Sequence, residues 1–336
     1  MSDVLKRHIG RVVGGHRLAE DEAGEAMGAI MDGDATPAQI GGLLAAMAVR
    51  GETEDEIVGF ARAMRSRALP LRARGAVDTC GTGGDGAGTF NISTVASLVI
   101  AGCAVPVAKH GNRAVSGSCG SADVLEQLGV RMDAPVETVQ RSFDEAGWAF
   151  LFAPAFHAST RHAAVARREL GVRTVFNLLG PLTNPALPDA QVVGVPRPEL
   201  TELMARCLAR LGVRRAWVVH GSGLDEMSPA SATRVSECRG GEVRTFVVQA
   251  ADTGCVPCAV EDLRGGDAAH NAAITRRILA GEAGGPREAV VLNAAAALVV
   301  AGQAGDLREG AQRARASLDG GAAAAVLERA AAISRQ

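Results

Sequence analysis

The sequence predicts an α/β fold: a small helical N-terminal domain, then a larger domain whose mainly parallel central sheet is flanked by helices. Three observations carry this. Residues 1–70 show only the 3.6-residue apolar period of amphipathic helices. From residue 74, short β-branched runs alternate with helical patterns, as parallel strands joined by crossover helices require. Between the first such run and the next helix, Gly81, Gly83, Gly84, Gly86 and Gly88 fall within eight residues.

The helical segment reads as four helices. Leu5, Ile9 and Val12 keep helical spacing as far as Gly14-Gly15, and Ala23, Met27 and Ile30 as far as Gly33. Thr36, Pro37 and Gln39 compose a capping box with proline at the first helical position. Thr53 with Glu56 is a second box, opening a helix that runs towards Pro70. No chemistry is visible here, and the Leu43, Leu44, Met47 stripe reads as core.

In the larger domain, strands are expected at Ala76-Val77, 105–107, 150–152, 192–195 and 217–219, with helices at 93–102, 121–128 and 198–211. Thr233 to Cys238 and Glu242 to Val248, joined by Arg239-Gly240-Gly241, predict an appended β-hairpin. The tail from Asp267 is alanine-rich and helical. Residues 161–185 interrupt the alternation with turn chemistry at Gly180-Pro181 and Thr183-Asn184-Pro185.

Composition narrows the function. A net charge of −2 over 336 residues argues against a general nucleic-acid binder. No apolar run reaches membrane-spanning length and the N-terminus lacks a signal-peptide pattern, so a cytoplasmic protein without a membrane partner is expected. Seven scattered cysteines do not read as a disulfide framework. Cys255-Val-Pro-Cys258 has no second pair to complete a zinc site, so both read as reduced thiols in a turn. Cys80, beside the glycine loop, reads as a buried inert thiol. His110, His157 and His220 have no spacing that suggests a metal trio.

The chemistry concentrates in residues 78–129. Strand, glycine loop and helix bring bare backbone N–H groups and a helix N-terminus against an anion. Glycine lets the loop bend through positive φ and lets phosphate oxygens approach without meeting a Cβ. Asn91, Ser93 and Thr94 can cap the following helix or donate to the same anion. Gly81, Gly83 and Gly86 match G-x-G-x-x-G, yet a dinucleotide site wants an acid about 20 positions on, where Lys109 stands. The Walker pattern is absent. A second polar loop, with Lys109 and Arg113 as cations, precedes a helix near Ser121. Two anion-binding loops on one sheet edge suit a ligand with more than one phosphate. Asp225 and Glu226 follow the strand 217–219; they read either as an exposed acidic turn or as hard oxygen ligands for Mg²⁺ beside substrate phosphates.

GTGGD (81–85) with the Asn91-Ile92-Ser93-Thr94 that follows, KHGNR (109–113) and GSADVLE (120–126) resemble the signatures of the anthranilate phosphoribosyltransferases. The blocks at 35–53, 167–185, 220–229 and 261–272 resemble the same family in the same order, so the likeness covers essentially the whole chain. One departure is visible: Ser116-Gly117-Ser118-Cys119 stands where relatives usually carry a second serine and often a basic residue.

The resemblance implies transfer of phosphoribose from 5-phosphoribosyl 1-pyrophosphate to the amine of anthranilate, releasing pyrophosphate, in tryptophan biosynthesis. It implies substrate binding by Gly81, Gly84, Asp85, Thr89, Asn91, Ile92, Ser93, Thr94, Lys109, His110, Gly111, Asn112 and Ser121, and Mg²⁺ at Ser93, Asp225 and Glu226. Arg167, by residue type alone a solvated helix arginine, becomes the anthranilate-binding group. No general base is assigned. The domains implied are 1–72, joined on its hinge side by part of 160–190, and 73–336, with a homodimer through the helical domain. Two rivals make other demands. A pyrimidine nucleoside phosphorylase, of related architecture, predicts base-binding residues in place of Asn112 and Arg167. A non-enzymatic nucleic-acid-binding relative predicts a basic face and loss of the Asp225–Glu226 pair.

Overall fold

Local signals in the N-terminal residues translate directly into helices. In the computed structural model, which describes residues 1–114, 118–221 and 223–336, α1 (Asp3–Val13), α2 (Glu20–Met31), α3 (Pro37–Arg50) and α4 (Glu54–Arg65) come first. Thr36 and Thr53 accept at their hydroxyls from the N–H groups of Gln39 and Glu56, whose side chains reach back to the cap N–H, so both boxes form. Gly59 of α4 must be glycine, because a Cβ there would strike the Glu20 carbonyl of α2.

The chain then runs β1 (Val77–Gly81), α5 (Ile92–Gly102), β2 (Val107–Gly111), α6 (Ser121–Gln127), α7 (Val136–Ala146), β3 (Trp148–Phe152), the single turn α8 (Ala153–Phe156), α9 (Arg161–Leu170) and the short α10 (Phe176–Leu179). It continues through β4 (Ala190–Gly194), α11 (Leu200–Arg210), β5 (Arg215–His220), β6 (Thr233–Arg239) and β7 (Glu242–Val248). The tail forms α12 (Ala268–Leu279), α13 (Gly285–Val300), α14 (Leu307–Asp319) and α15 (Ala322–Ser334). Two compact units result: Met1–Pro70 with Ala153–Pro185, all helical, and Leu71–Phe152 with Ala186–Gln336.

The second unit holds one sheet in the order β3-β2-β1-β4-β5-β6-β7. Pairing is parallel from β3 to β5 and antiparallel for β6 and β7, the predicted hairpin. Glu237 fastens the hairpin. Its buried carboxylate accepts from Arg215 (2.8 Å), Arg244 (2.7 Å) and the Trp217 indole (3.0 Å), the multiple partners a buried charge needs. Helix α13 is buried from Ala289 to Val300 and packs in the core beside α5, its alanines allowing close approach.

Two boundaries differ from expectation. The second strand extends beyond its apolar run, so that Lys109 and His110 lie within β2, paired with Phe150 and Leu151 of β3. The first strand likewise runs through Gly81, in register with Gly194. In both, pairing with a neighbouring strand carries the ladder past the end of the hydrophobic signal. Among the described residues no helix is long and apolar enough to cross a membrane.

Candidate active site

The strand order reverses between β1 and β4: the chain steps from β1 to β2 and β3 on one side, then returns to β4 and β5 on the other. Such reversals open a crevice beyond the carboxyl ends of the strands. Gly81 and Gly194, cross-strand partners, end the two strands there. The loop after β5 seats against them. A Cβ on Gly194 would run into the Asp225 carbonyl oxygen, and one on Gly81 into Asp225 Oδ2. The missing side chains therefore bring the acidic pair to the glycine loop.

Asp225 Oδ2 accepts the Gly83 N–H (2.8 Å), and the Asp225 N–H donates to Asp85 Oδ2 (3.2 Å). Glu226 Oε1 accepts the Ser93 N–H (3.2 Å) in the first turn of α5, a favourable place for a negative charge. Burial and the nearby Asp85 carboxylate push the Asp225 pKa up; burial and the Asp225 charge push Glu226 up, with the Lys109 ammonium partly offsetting. Converging carboxylates are a standing unfavourable charge, and hard oxygens of this kind suit Mg²⁺. No group of three or more potential ligand side chains that could hold a metal ion occurs among the described residues. Two carboxylates completed by phosphate and water oxygens are nevertheless a common Mg²⁺ environment.

The glycine loop takes the left-handed conformation at Gly83, Gly84, Gly86 and Gly88, with φ of 67°, 83°, 74° and 65°. Its edges are tied down: the Thr82 N–H donates to Gly194 O (2.9 Å), Phe90 N–H to Leu263 O (3.0 Å), and Gly265 N–H to Gly88 O (2.9 Å). At the tip, the N–H groups of Gly84, Asp85 and Gly86 donate to no acceptor among the described residues. Lys109 lies beneath, 2% exposed, donating to Thr79 O and to Ser93 Oγ (3.2 Å). An ammonium has three hydrogens, so one remains.

Other sequence candidates fall into distinct places. Ile92 and Thr94 are buried within α5, and His110 is buried in β2 with its N–H on Asp78 Oδ1 (3.3 Å). Thr89 is half-buried and bridged to Arg264. Asn91 occupies the N-cap position of α5 without capping it by its side chain; its carboxamide faces Cys119 and Asn271 instead. Gly111 must lack a Cβ because Ser121 Oγ fills that space while donating to Asn112 O (3.2 Å). Asn112 is exposed. Arg113, one of the second loop's two cations, is held by Asp123 (3.0 Å) and Glu126 (2.9 Å) of α6. Ser116 and Gly117, in the departure from the family pattern, lie outside the described residues, as does Ser222.

In the helical unit, Arg167 of α9 is half-buried, its guanidinium 4.8 Å from the centroid of the Phe176 ring. Among the described residues that guanidinium has neither a hydrogen-bond partner nor an ion-pair partner. Burial pushes its pKa down. Its neighbour Arg168 is exposed. His157 is buried with Nε2 2.9 Å from Thr183 O, so Nε2 carries the proton. Burial also raises the thiols of Cys80, Cys255 and Cys258, which keeps them protonated and unreactive.

Sequence reasoning passed over Gly194, whose bareness seats Asp225, and Asn271, whose carboxamide reaches Asn91. Asn271 had a faint signal: Gly265-Gly266 and the N-cap Asp267 mark a tight helix entry directly before it.

The comparisons with known proteins agree with this geometry. Residues 6–68 match the helical bundle domain of the glycosyl transferase family, and residues 73–324 its a/b domain. The anthranilate phosphoribosyltransferase of Moorella thermoacetica is 53% identical over 328 residues, covering 97% of each chain; that of Myxococcus xanthus is 55% identical over 323 residues, covering 95% of this chain and 96% of the relative. The crystal structure of the Thermus thermophilus anthranilate phosphoribosyltransferase superposes with a TM-score of 0.93 at 47% identity, covering all of both chains. The Saccharomyces cerevisiae anthranilate phosphoribosyltransferase in complex with PRPP and Mg gives 0.90 at 25% identity, covering 100% of this chain and 99% of that one. With near-complete coverage by these relatives, the chain belongs to the anthranilate phosphoribosyltransferases of the glycosyl transferase family.

Proposed function

We propose that this protein transfers the phosphoribosyl group of 5-phosphoribosyl 1-pyrophosphate to the amine of anthranilate, giving N-(5-phosphoribosyl)anthranilate and pyrophosphate, in tryptophan biosynthesis. The observation that carries it is the convergence, at the β1/β4 reversal, of unengaged loop amides, a buried lysine and an acidic pair. The reaction breaks the bond from the anomeric carbon to the pyrophosphate oxygen and forms one from that carbon to nitrogen; the amine gives up one proton. Positive charge grows on the ribose and negative charge on the departing group.

Catalysis then consists of stabilising the leaving group and positioning the amine. The N–H groups of Gly84, Asp85 and Gly86 would take pyrophosphate oxygens, with Gly81 ending the strand that presents them. Lys109 would add its remaining hydrogen and its charge. Asn91, Ser93, Asn112 and Ser121 would contact ribose or phosphate; Thr89, Ile92, Thr94, His110 and Gly111 would shape the loops through their backbone. Asp225, Glu226 and Ser93 would hold Mg²⁺, which supplies charge neutralisation on pyrophosphate oxygens. Arg167 would grip the anthranilate carboxylate with two parallel hydrogen bonds. An aromatic amine of low basicity is already largely unprotonated, so no dedicated base is needed.

An unengaged guanidinium favours an acceptor bearing a carboxylate over the neutral base of a nucleoside. The decisive assay is loss of anthranilate fluorescence with 5-phosphoribosyl 1-pyrophosphate and Mg²⁺, against a metal-free control; no loss under any condition overturns the reading. The exposed Val13 (70%), Val49 (91%) and Val172 (59%) of the helical unit support a homodimer through that unit, which sedimentation would test. We place the reaction in the cytoplasm, where both soluble substrates would be met.

A further inference from the structure

A carboxamide has nearly the same shape in either orientation, so its neighbours decide which end is oxygen. Around Asn91 those neighbours form a chain with unambiguous ends. The Gly266 N–H can only donate, and it donates to Asn271 Oδ1 (2.8 Å). Asn271 Nδ2 is thereby left facing Asn91, and donates to Asn91 Oδ1 (3.0 Å). Asn91 Nδ2 then faces the Cys119 carbonyl, which can only accept (3.0 Å). The Cys119 thiol, a weak donor, sits 3.5 Å from the same Asn91 oxygen and agrees with that polarity. Asn271 is 2% exposed, so water does not compete for its carboxamide. Flipping either amide would set oxygen against oxygen or hydrogen against hydrogen at two places in the chain.

We infer that Asn271 is a positioning residue for the donor substrate: it fixes the polarity of the Asn91 carboxamide, so that Asn91 offers its second N–H hydrogen, never its oxygen, to a ribose hydroxyl or phosphate oxygen. This rests on the reading of Asn91 as a donor contact. The relay also joins three segments of the α/β unit: the end of the glycine loop, the second polar loop at Cys119 and the turn at Gly266. Ser118 adds a parallel tie, donating to the Gly266 carbonyl (2.9 Å). A substrate whose oxygens all accept gains from a donor held in one orientation, because a carboxamide free to turn would repel it part of the time.

The test is steady-state kinetics on Asn271→Leu, Asn271→Asp, Asn91→Ala and the Asn91→Ala/Asn271→Leu double variant, with thermal melting of each. Asn271→Leu keeps the size and loses the relay. Its KM for 5-phosphoribosyl 1-pyrophosphate is expected to rise about five- to tenfold, the range one neutral hydrogen bond moves an equilibrium. The anthranilate KM and kcat should stay within about twofold. Asn271→Asp keeps the acceptor for Gly266 but turns an acceptor towards Asn91, which should reverse the Asn91 amide; its donor KM should rise more than that of Asn271→Leu. In the double variant, Asn271→Leu should add less than about twofold to Asn91→Ala.

A merely structural role would lower the melting temperature and kcat without touching the donor KM, and that pattern overturns the inference. So does a rise in donor KM for Asn271→Asp with none for Asn271→Leu, since charge alone would explain it. Full additivity in the double variant also sinks it. An Asn91→Ala enzyme with unchanged donor KM removes the underlying reading of Asn91 instead. If Asn271→Leu does not fold, Asn271→Asp in the Asn91→Ala background decides between relay and charge: a relay predicts no further rise, charge predicts the same rise as in the parent.

Discussion

The two regions to which the proposed chemistry is assigned are built by opposite means. At the β1/β4 reversal the functional side chains are held by partners, leaving the loop amides to receive a ligand. Asp225 is held by Gly83 and Asp85, Glu226 by Ser93, Lys109 by Thr79 and Ser93, and Asn91 by Asn271 and Cys119. On α9 a single guanidinium lies over one aromatic ring with no hydrogen bond or ion pair among the described residues. The first arrangement suits a polyanion, whose charge must be shared among many groups that stay in place as it leaves. The second suits one planar carboxylate, for which a fork of donors suffices. Damage should accordingly spread across parameters in the first region and stay confined to acceptor affinity in the second.

The largest effect expected is from Asp225→Asn with Glu226→Gln. Two charge-assisted contacts at ~1.5–3 kcal/mol each imply a loss of roughly 10²–10⁴ in kcat/KM, with a raised Mg²⁺ requirement. The same change should stabilise the metal-free protein, because it relieves converging carboxylates while Asn and Gln oxygens can still accept from Gly83 and Ser93. A rise of about 2–4 °C in melting temperature corresponds to ~1 kcal/mol in a domain of 150–250 residues. Mg²⁺ titrations of turnover and of melting temperature check both parts. A double variant as active and as Mg²⁺-dependent as the parent would remove the pair from the site.

Next come the two cations. Arg167→Ala is expected to raise the anthranilate KM about ten- to a hundredfold, the equivalent of ~1.5–3 kcal/mol, while the donor KM changes little. Arg167→Lys should rescue only in part, since an ammonium cannot reproduce the bidentate fork. Arg168→Ala is the internal control and should match the parent, because Arg168 points elsewhere on α9 and is exposed. Lys109→Ala is expected to show the reverse split, with a similar loss in donor use and a smaller change for the acceptor. It should also disturb Ser93 and Glu226, so kcat should fall with it. Equal shifts for both substrates in both variants would erase the distinction between the regions.

How much of this was legible in the sequence follows from how local each signal is. The glycine loop, the Thr36 and Thr53 capping boxes and the Glu242 hairpin depend on residues a few positions apart, and a reader of the chain meets them together. Lys109 falls beyond the strand expected at 105–107 because the apolar run stops at Ala108. The strand continues because β3 pairs with it, and the charge tolerates burial because Thr79 and Ser93 arrive from other elements. Gly194 and Asn271 are further still from the groups they serve. Gly194 looks like any glycine at a strand end until Asp225, 31 residues on, occupies its missing side chain. The relation between Asn91 and Asn271 spans 180 residues and leaves no period or spacing to read. Motifs gave the acidic pair and the loop; only the fold shows that bare backbone at two strand ends brings them together.

The smallest effect expected lies in the helical unit and concerns pH. His157 is buried, with its ring N–H on the Thr183 carbonyl, and burial pushes its pKa below the ordinary histidine value. The unfolded chain therefore takes up a proton at a pH where the folded chain does not. Below about pH 6.5 the unfolded state binds more protons, so stability contributed by the neutral ring is present above that value and is lost as pH falls through it towards the depressed folded pKa. His157→Gln keeps a donor for Thr183 and cannot titrate. Its melting temperature should lie near or slightly below the parent's at pH 8, and the gap should narrow or reverse as the pH falls to 5.5. The contrast isolates this residue because every other titrating group is common to both proteins. Parallel melting curves from pH 8 to pH 5.5 would show that the folded histidine takes its proton as readily as the unfolded one, and that burial at this position carries no pH-dependent stability.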